Sequence, residues 1–265
     1  MYHDFESHTI TRRSFLKGAG AVGAAGLLAA CGGSSSSTAA SASSASSGAA
    51  ASGKGLSELF TYETSGREIE SWNMLYSQQA IDFNVSTNII DGLISFDNYG
   101  KPVPALAKSW EHNEDSTVWT FHLRDDVDWV DMNGEVQDHL TSKDFLVGFE
   151  WVLNAKKNQA ANTSMPSTTV VGAADYYDKT YGMDDAAGEA LTYEDMLAAG
   201  VGIDAPDDYT VVYTCLNPCP YFDTVASYVC CYPAPPALVE KLGVEGFRGV
   251  DYTQQWCCGP YLIEE

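Results

Sequence analysis

TVWTFHLR (117–124) and TSKDFLVGFEWVL (141–153) follow one another with different hydrophobic periods. In the first, Val118, Trp119, Phe121 and Leu123 are apolar, and Thr117, Thr120 and His122 are polar. That near-alternation predicts a strand with one buried face. In the second, Phe145, Phe149 and Val152 fall at i, i+4 and i+7, with Leu146 and Leu153 beside them, which is the stripe of an amphipathic helix. Thr141-Ser142-Lys143-Asp144 supplies a capping box, so a helix is predicted over 142–155. Between the two, residues 129–136 are interrupted by Asn133-Gly134, a strong short-range hairpin signal. Strand, hairpin and long helix in quick succession predict a mixed α/β fold.

Outward from this centre the same signals recur. LFTYE (59–63) reads as a first strand, and 85–93 as a helix with Val85, Ile89, Gly92 and Leu93 on one face. Thr192-Tyr193-Glu194-Asp195 opens a second, shorter helix with another capping box. Asp207-Asp208 marks a turn before a strand over 209–214. Short helices are predicted over 221–229 and 236–242, and Tyr261-Leu262-Ile263 begins another strand. There is no strict βαβ rhythm and no internal repeat. The folded part is expected over 56–265.

The N-terminus reads as an address. Arg12 and Arg13 sit in Thr11-Arg12-Arg13-Ser14-Phe15-Leu16-Lys17, which resembles the twin-arginine export signal. The apolar run at 18–30 is 13 residues, short of the roughly 20 that a membrane-spanning helix needs. Leu28-Ala29-Ala30-Cys31 resembles the bacterial lipobox, which implies cleavage before Cys31 and lipid on its thiol. Residues 1–30 are therefore expected to be a lipoprotein signal peptide. Residues 31–55 are expected to be the lipidated cysteine and a flexible tether, because 32–53 contain little besides Gly, Ser and Ala and bury too little surface to offset ordering entropy.

Without residues 1–30 the chain carries 34 acidic and 11 basic side chains, a net charge of −23. Such a chain repels nucleic acid and anionic surfaces, and no basic patch offsets this. Six cysteines remain besides Cys31: Cys215, Cys219, Cys230, Cys231, Cys257 and Cys258. Outside the cytoplasm an even number suggests disulfides, whose connectivity the sequence leaves open, with buried neutral thiols as the alternative. No CxxC or HExxH spacing supports a metal centre, and no GxSxG or GxxxxGK[ST] stretch supports a nucleophile elbow or a phosphate loop. The acidic run 125–134 fails as a calcium loop, because Gly134 at position six puts Trp129 at position one and Leu140 at position twelve. Trp110, Trp119, Trp129 and Trp151 lie among apolar neighbours and are expected in the core.

PALAKSWE (104–111), VWTFHLRDDVDW (118–129) and TSKDFLVGFEWVL (141–153) together resemble the N-terminal lobe of family 5 solute-binding proteins, the oligopeptide- and dipeptide-binding lipoproteins of ABC importers. VSTNIIDGLISFD (85–97), GAADYYD (172–178), DDYTVVYTCLNPCPYF (207–222) and Cys258-Gly259-Pro260-Tyr261 resemble further family segments in the same order. Residues 129–140 depart from the family pattern as a longer hairpin segment.

The resemblance implies a class II lobe of the periplasmic-binding-protein type, with the second lobe missing from this chain. It implies no catalytic set, cofactor or metal, and a monomer anchored by lipid to the outer face of the cytoplasmic membrane. It implies capture of a peptide between two lobes and delivery to ABC permease subunits. By position in the family pattern, Gln78, Gln79 and Ala80 in a loop, a second loop at Ser167-Thr168-Thr169, and Tyr228 should face the cleft. A non-peptide solute such as a metal chelate, haem or sugar stays open within the same fold. A cysteine-based redox or hydrolytic surface lipoprotein is the remaining alternative.

Overall fold

The computed structural model describes residues 9–11, 59–61, 68–77, 79–159 and 164–264. Strands β1 (Thr9–Thr11) and β2 (Leu59–Thr61) precede helix α1 (Ala80–Ile89). A run of short strands follows: β3 (Ile94–Phe96), β4 (Pro102–Pro104), β5 (Ala107–His112), β6 (Val118–Leu123), β7 (Asp128–Val130) and β8 (Val136–His139). The helices α2 (Ser142–Leu153), α3 (Ser164–Thr169), α4 (Ala173–Tyr181), α5 (Asp185–Glu189) and α6 (Tyr193–Ala198) lead to β9 (Ile203–Asp207) and β10 (Thr210–Thr214). Helix α7 (Phe222–Ala226), a 3-10 turn (Val229–Cys231), α8 (Pro236–Arg248) and β11 (Leu262–Glu264) complete a mixed α/β order.

The central sheet is antiparallel, in the order β5-β6-β10-β9. Strand β6 alternates as its sequence requires: Trp119, Phe121 and Leu123 are buried, and the residues between them are half-buried. Across the ladder Phe121 faces Val211 and Trp119 faces Tyr213. Phe149 of α2 meets the Tyr213 ring at 5.4 Å, edge-on, and Phe222 of α7 meets it at 5.2 Å. Helices α2 and α7 thus close this face of the sheet, each buried Phe contributing about 1.5–3 kcal/mol. Trp129 and Trp151 are also fully buried, whereas Trp110 on the edge strand β5 is half-buried.

Helix α2 begins where its capping signal put it. The Asp144 carboxylate accepts from the Thr141 amide and hydroxyl, each at 3.0 Å, and from Trp129 Nε1 at 2.6 Å. The helix ends two residues before the predicted 155, capped at Asn154. Thr192 and Asp195 form the second predicted box at the start of α6. The β7–β8 hairpin also forms, around a five-residue turn rather than two. Gly134 takes a φ of +77°, and Asp131 accepts from the amides of Asn133 (2.8 Å) and Glu135 (3.0 Å). The acidic run therefore builds its own turn.

Several elements differ from expectation. Helix α1 starts at Ala80, not 85, because the fully buried Asp82 is drawn inward by the amides of Glu70 (3.0 Å) and Ser71 (3.1 Å) and by the Ser77 hydroxyl. Gly92 and Leu93 lie beyond the helix, and a Cβ at Gly92 would stand 2.4 Å from the Tyr232 ring. The 221–229 helix is shorter and gives way to the 3-10 turn. Helix α8 runs past 242 to Arg248, interrupted at Gly243, whose φ of +67° breaks and restarts the spiral. Ser167-Thr168-Thr169 is the end of helix α3, not a loop. Thr9–Thr11, inside the segment read as a leader, is the middle strand between β2 and β11, with Ile10 opposite Phe60 and Ile263.

Candidate binding wall

The segment before α1 is held by its own side chains. Asn73 Oδ1 accepts from the Leu75 amide at 3.0 Å, and its Nδ2 donates to the Phe247 carbonyl of α8 at 2.8 Å. Tyr76 reaches the other way, its hydroxyl donating to Gln159 Oε1 at 2.8 Å. Gln159, at a φ of +50°, closes a turn after α2 that is fastened from below. Arg248 donates to the carbonyls of Lys156 (2.9 Å) and Lys157 (3.0 Å) and to Glu189 Oε1 (3.0 Å). Beside these ties lies an open cleft of about 400 Å³, lined by Glu70, Ser71, Trp72, Tyr76, Glu245, Arg248 and Asp251 among others.

A turn of α1 further on, the half-buried Phe83 ring lies 6.5 Å from the ring of Tyr228, which is 47% exposed. Gln79 precedes the helix, its amide donating to Ser77 Oγ at 3.0 Å and its carbonyl accepting from the Phe83 amide at 3.3 Å. Of the expected cleft residues, Gln79 and Ala80 open α1, and Tyr228 meets the same helix at the Phe83 ring. Ala80 is the first helical residue rather than part of a loop. Thr168 belongs to α3, with its hydroxyl donating back to Met165 O at 3.0 Å. Gln78, Arg12, Arg13 and Cys31 lie outside the described residues. Sequence reasoning missed Phe83, Tyr76 and Gln159. Phe83 carried a signal, an aromatic one turn after the Gln79–Ala80 start; the Tyr76–Gln159 pairing spans 83 positions and had none.

Two carboxyls near the core are displaced upward. Burial lifts Asp144 to about 6 despite its hydrogen-bond donors. Burial likewise lifts Asp91 to about 6, opposed by the charge of Arg124. Among the described residues no three His, Cys, Asp or Glu side chains gather as a metal site. Among the described residues the six cysteines are buried and unpaired, the arrangement that the sequence left open beside disulfides. Cys230 and Cys231, adjacent in a 3-10 turn, hold their Sγ atoms 4.0 Å apart, about twice a disulfide bond length. Burial pushes the Cys215 thiol up to about 12 and raises those of Cys257 and Cys258 well above the ordinary value, which favours the neutral thiol.

Comparison with known proteins gives concordant results. The model of bacterial extracellular solute-binding proteins, family 5 (Middle), matches residues 101–265, and that of the twin-arginine translocation pathway signal matches residues 9–29. A leader of that kind marks the chain for export from the cytoplasm. The chain is 29% identical over 195 residues to the oligopeptide-binding protein SarA of Streptococcus gordonii, covering 74% of this chain and 27% of that one. It is 30% identical over 179 residues to the periplasmic oligopeptide-binding protein OppA of Escherichia coli, covering 68% and 29%. The crystal structure of Haemophilus influenzae OppA in complex with RPPGFSPFR superposes with a TM-score of 0.60 at 29% identity, covering 73% of this chain and 33% of that one. The chain thus spans about a third, or less, of the length of these relatives.

Proposed function

Since the chain belongs to the family 5 bacterial extracellular solute-binding proteins, we propose that it supplies the N-terminal part of a receptor that captures peptides outside the cytoplasm and delivers them to the permease of an ABC importer. The observation that carries this reading is the likeness to oligopeptide-binding proteins, sustained over 179 to 195 residues. The wall of Gln79, Ala80, Phe83 and Tyr228 forms one side of the peptide cleft, and a second lobe, as in the longer relatives, forms the other. A peptide there pairs its backbone with strand edges, so that binding depends little on side-chain identity. The rings of Phe83 and Tyr228 offer broad apolar contact, and bridging waters fill what a given side chain leaves empty. Closure of the two lobes is a population shift driven by the ligand's preference for the closed form. Members of this family are substrate-binding proteins, and capture of this kind breaks no bond.

Residues 1–30 serve as the signal peptide, Cys31 carries the lipid, and the Ser/Ala/Gly-rich tether to residue 55 lets a monomeric head range about 25–30 Å from the membrane surface. Mass spectrometry of ligand released from the full-length protein tests the peptide reading. Mixed short peptides are expected, and a metal chelate, haem or sugar in their place overturns it. Labelling with a fatty acid tests the anchor: label should reach the wild type and be lost in Cys31→Ala, and a labelled Cys31→Ala protein would refute it.

A further inference from the structure

The three-stranded sheet runs in the order β11-β1-β2 and is antiparallel at both seams. Thr9, Ile10 and Thr11 of β1 stand opposite Thr61, Phe60 and Leu59 on one side, and opposite Glu264, Ile263 and Leu262 on the other. Strands β2 and β11 are therefore parallel to one another, and β1 is what joins them. Neighbouring strands lie about 4.8 Å apart, so the two outer strands are about 10 Å apart and do not bond directly. Of the sheets among the described residues, this one alone takes a strand from the leader. The twin-arginine signal model begins at Thr9, the first residue of β1, and Arg12-Arg13 follow the strand at once.

The outer strands are continuous with segments fastened to α1. Leu262 and Ile263 are buried, and the chain entering β11 is tied to the end of that helix. The Gly259 amide donates to the Ile89 carbonyl at 2.8 Å, and the Tyr261 amide to the Asn88 carbonyl at 3.2 Å. Strand β2 precedes the segment whose Glu70 and Ser71 amides hold Asp82 of the same helix. A strand lost from between two such edges leaves each with a row of unpaired amides and carbonyls. Being parallel and a full strand apart, β2 and β11 cannot close that seam by pairing as they stand. One added strand satisfies both rows together, as in strand addition between proteins.

We propose that the leader is a brace as well as an address: in the precursor, residues 9–11 join β2 to β11, and loss of the leader outside the cytoplasm opens that seam. The first half rests on the strand pairing alone. The second half rests on removal of residues 1–30, proposed above. Processing thereby uncouples the first and last strands of the described lobe, which is tight before export and looser after it. The identity of the solute does not enter.

Hydrogen exchange on the full-length protein tests this. Arg12→Lys with Arg13→Lys disrupts the address and keeps the precursor inside the cell, with residues 9–11 unaltered. In that precursor the amides of 59–61 and 262–264 should exchange slowly. Adding Ile10→Pro takes a ladder donor out of the middle strand. Exchange at both outer strands should then rise about tenfold or more, while 118–123 and 142–153 keep their protection. Unchanged exchange at 59–61 and 262–264 overturns the brace. If Ile10→Pro also loosens 118–123, the milder Ile10→Gly is read by the same criterion. The exported protein, its mass showing that residues 1–30 are gone, should exchange at both strands as fast as the Ile10→Pro precursor. Slow exchange there overturns the release. An exported protein that keeps residues 1–30 refutes the processing reading and the release with it, and the precursor result alone then decides the brace.

Discussion

Helix α2 buries a carboxylate near each end, and the two are accommodated differently. Near its start, Asp144 is surrounded by neutral donors: the Thr141 amide and hydroxyl and the Trp129 indole. Near its end, Glu150 has a cation, Lys157, at 2.7 Å, and its carboxylate also accepts from Asn154 Nδ2 (2.8 Å) and the Tyr176 hydroxyl (2.9 Å). Neutral donors alone do not overcome desolvation, and Asp144 is raised to about 6. Glu150 keeps its counter-charge inside, with Lys157 itself almost fully buried. One end of the helix is thus a pH-dependent cap and the other a buried ion pair with its lone pairs satisfied.

The contrast breaks most visibly at the ion pair. Lys157→Met leaves Glu150 charged and buried without its partner, and should lower the unfolding free energy by about 3–5 kcal/mol in urea titration at pH 7. A loss under 1 kcal/mol would mean that Glu150 reaches water. The second effect is the pH slope at Asp144. Its folded value, about 6, lies above the ordinary 3.8, so the folded state holds the proton more tightly. That contribution is fully present below about 4 and is lost as pH rises through about 6, a change on the order of 2–3 kcal/mol. Asp144→Asn should remove this part of the slope and leave the part due to Asp91, which shifts the same way. Identical pH profiles for wild type and variant would refute the assignment.

Smaller still is the cap. Thr141→Ala removes a hydroxyl donor to Asp144 and should cost about 1 kcal/mol by the same titration. Smallest in stability, and of most interest for binding, is Tyr228→Ala. An exposed ring with one ring neighbour should change stability by less than about 0.5 kcal/mol, while calorimetry on the full-length variant should show peptide affinity several-fold weaker. Unchanged affinity would remove Tyr228 from the wall.

The start of α2 was legible in the sequence and its end was not, for a physical reason. A capping box is local: Thr141 and Asp144 are three residues apart and precede a periodic apolar run. The Asn133-Gly134 turn and the alternation over 118–123 are local in the same way. The partners that fix Glu150 and Lys157 come from Tyr176 and from the carbonyl of Leu191, remote in sequence and without periodic signature. Strand β5 was not read because an edge strand with mostly exposed residues does not alternate. The early start of α1 was hidden because a buried Asp82 looks polar until its partners at 70, 71 and 77 are in place. Of the candidate wall, Gln79, Ala80 and Tyr228 came from family resemblance and Phe83 from its place one turn into α1, whereas the Tyr76–Gln159 tie beside it needed coordinates.

Tyr76 and Asn73, three positions apart, tie one short segment to two distant places, the turn at Gln159 and the backbone of α8 at Phe247. The segment that leads into the wall is consequently preorganised. A ligand arriving there does not have to freeze it, and freezing a mobile side chain at an interface costs about 0.5–1.5 kcal/mol each. In the receptor proposed above, the conformational cost of capture would then fall on the peptide and on the opposing lobe rather than on this segment.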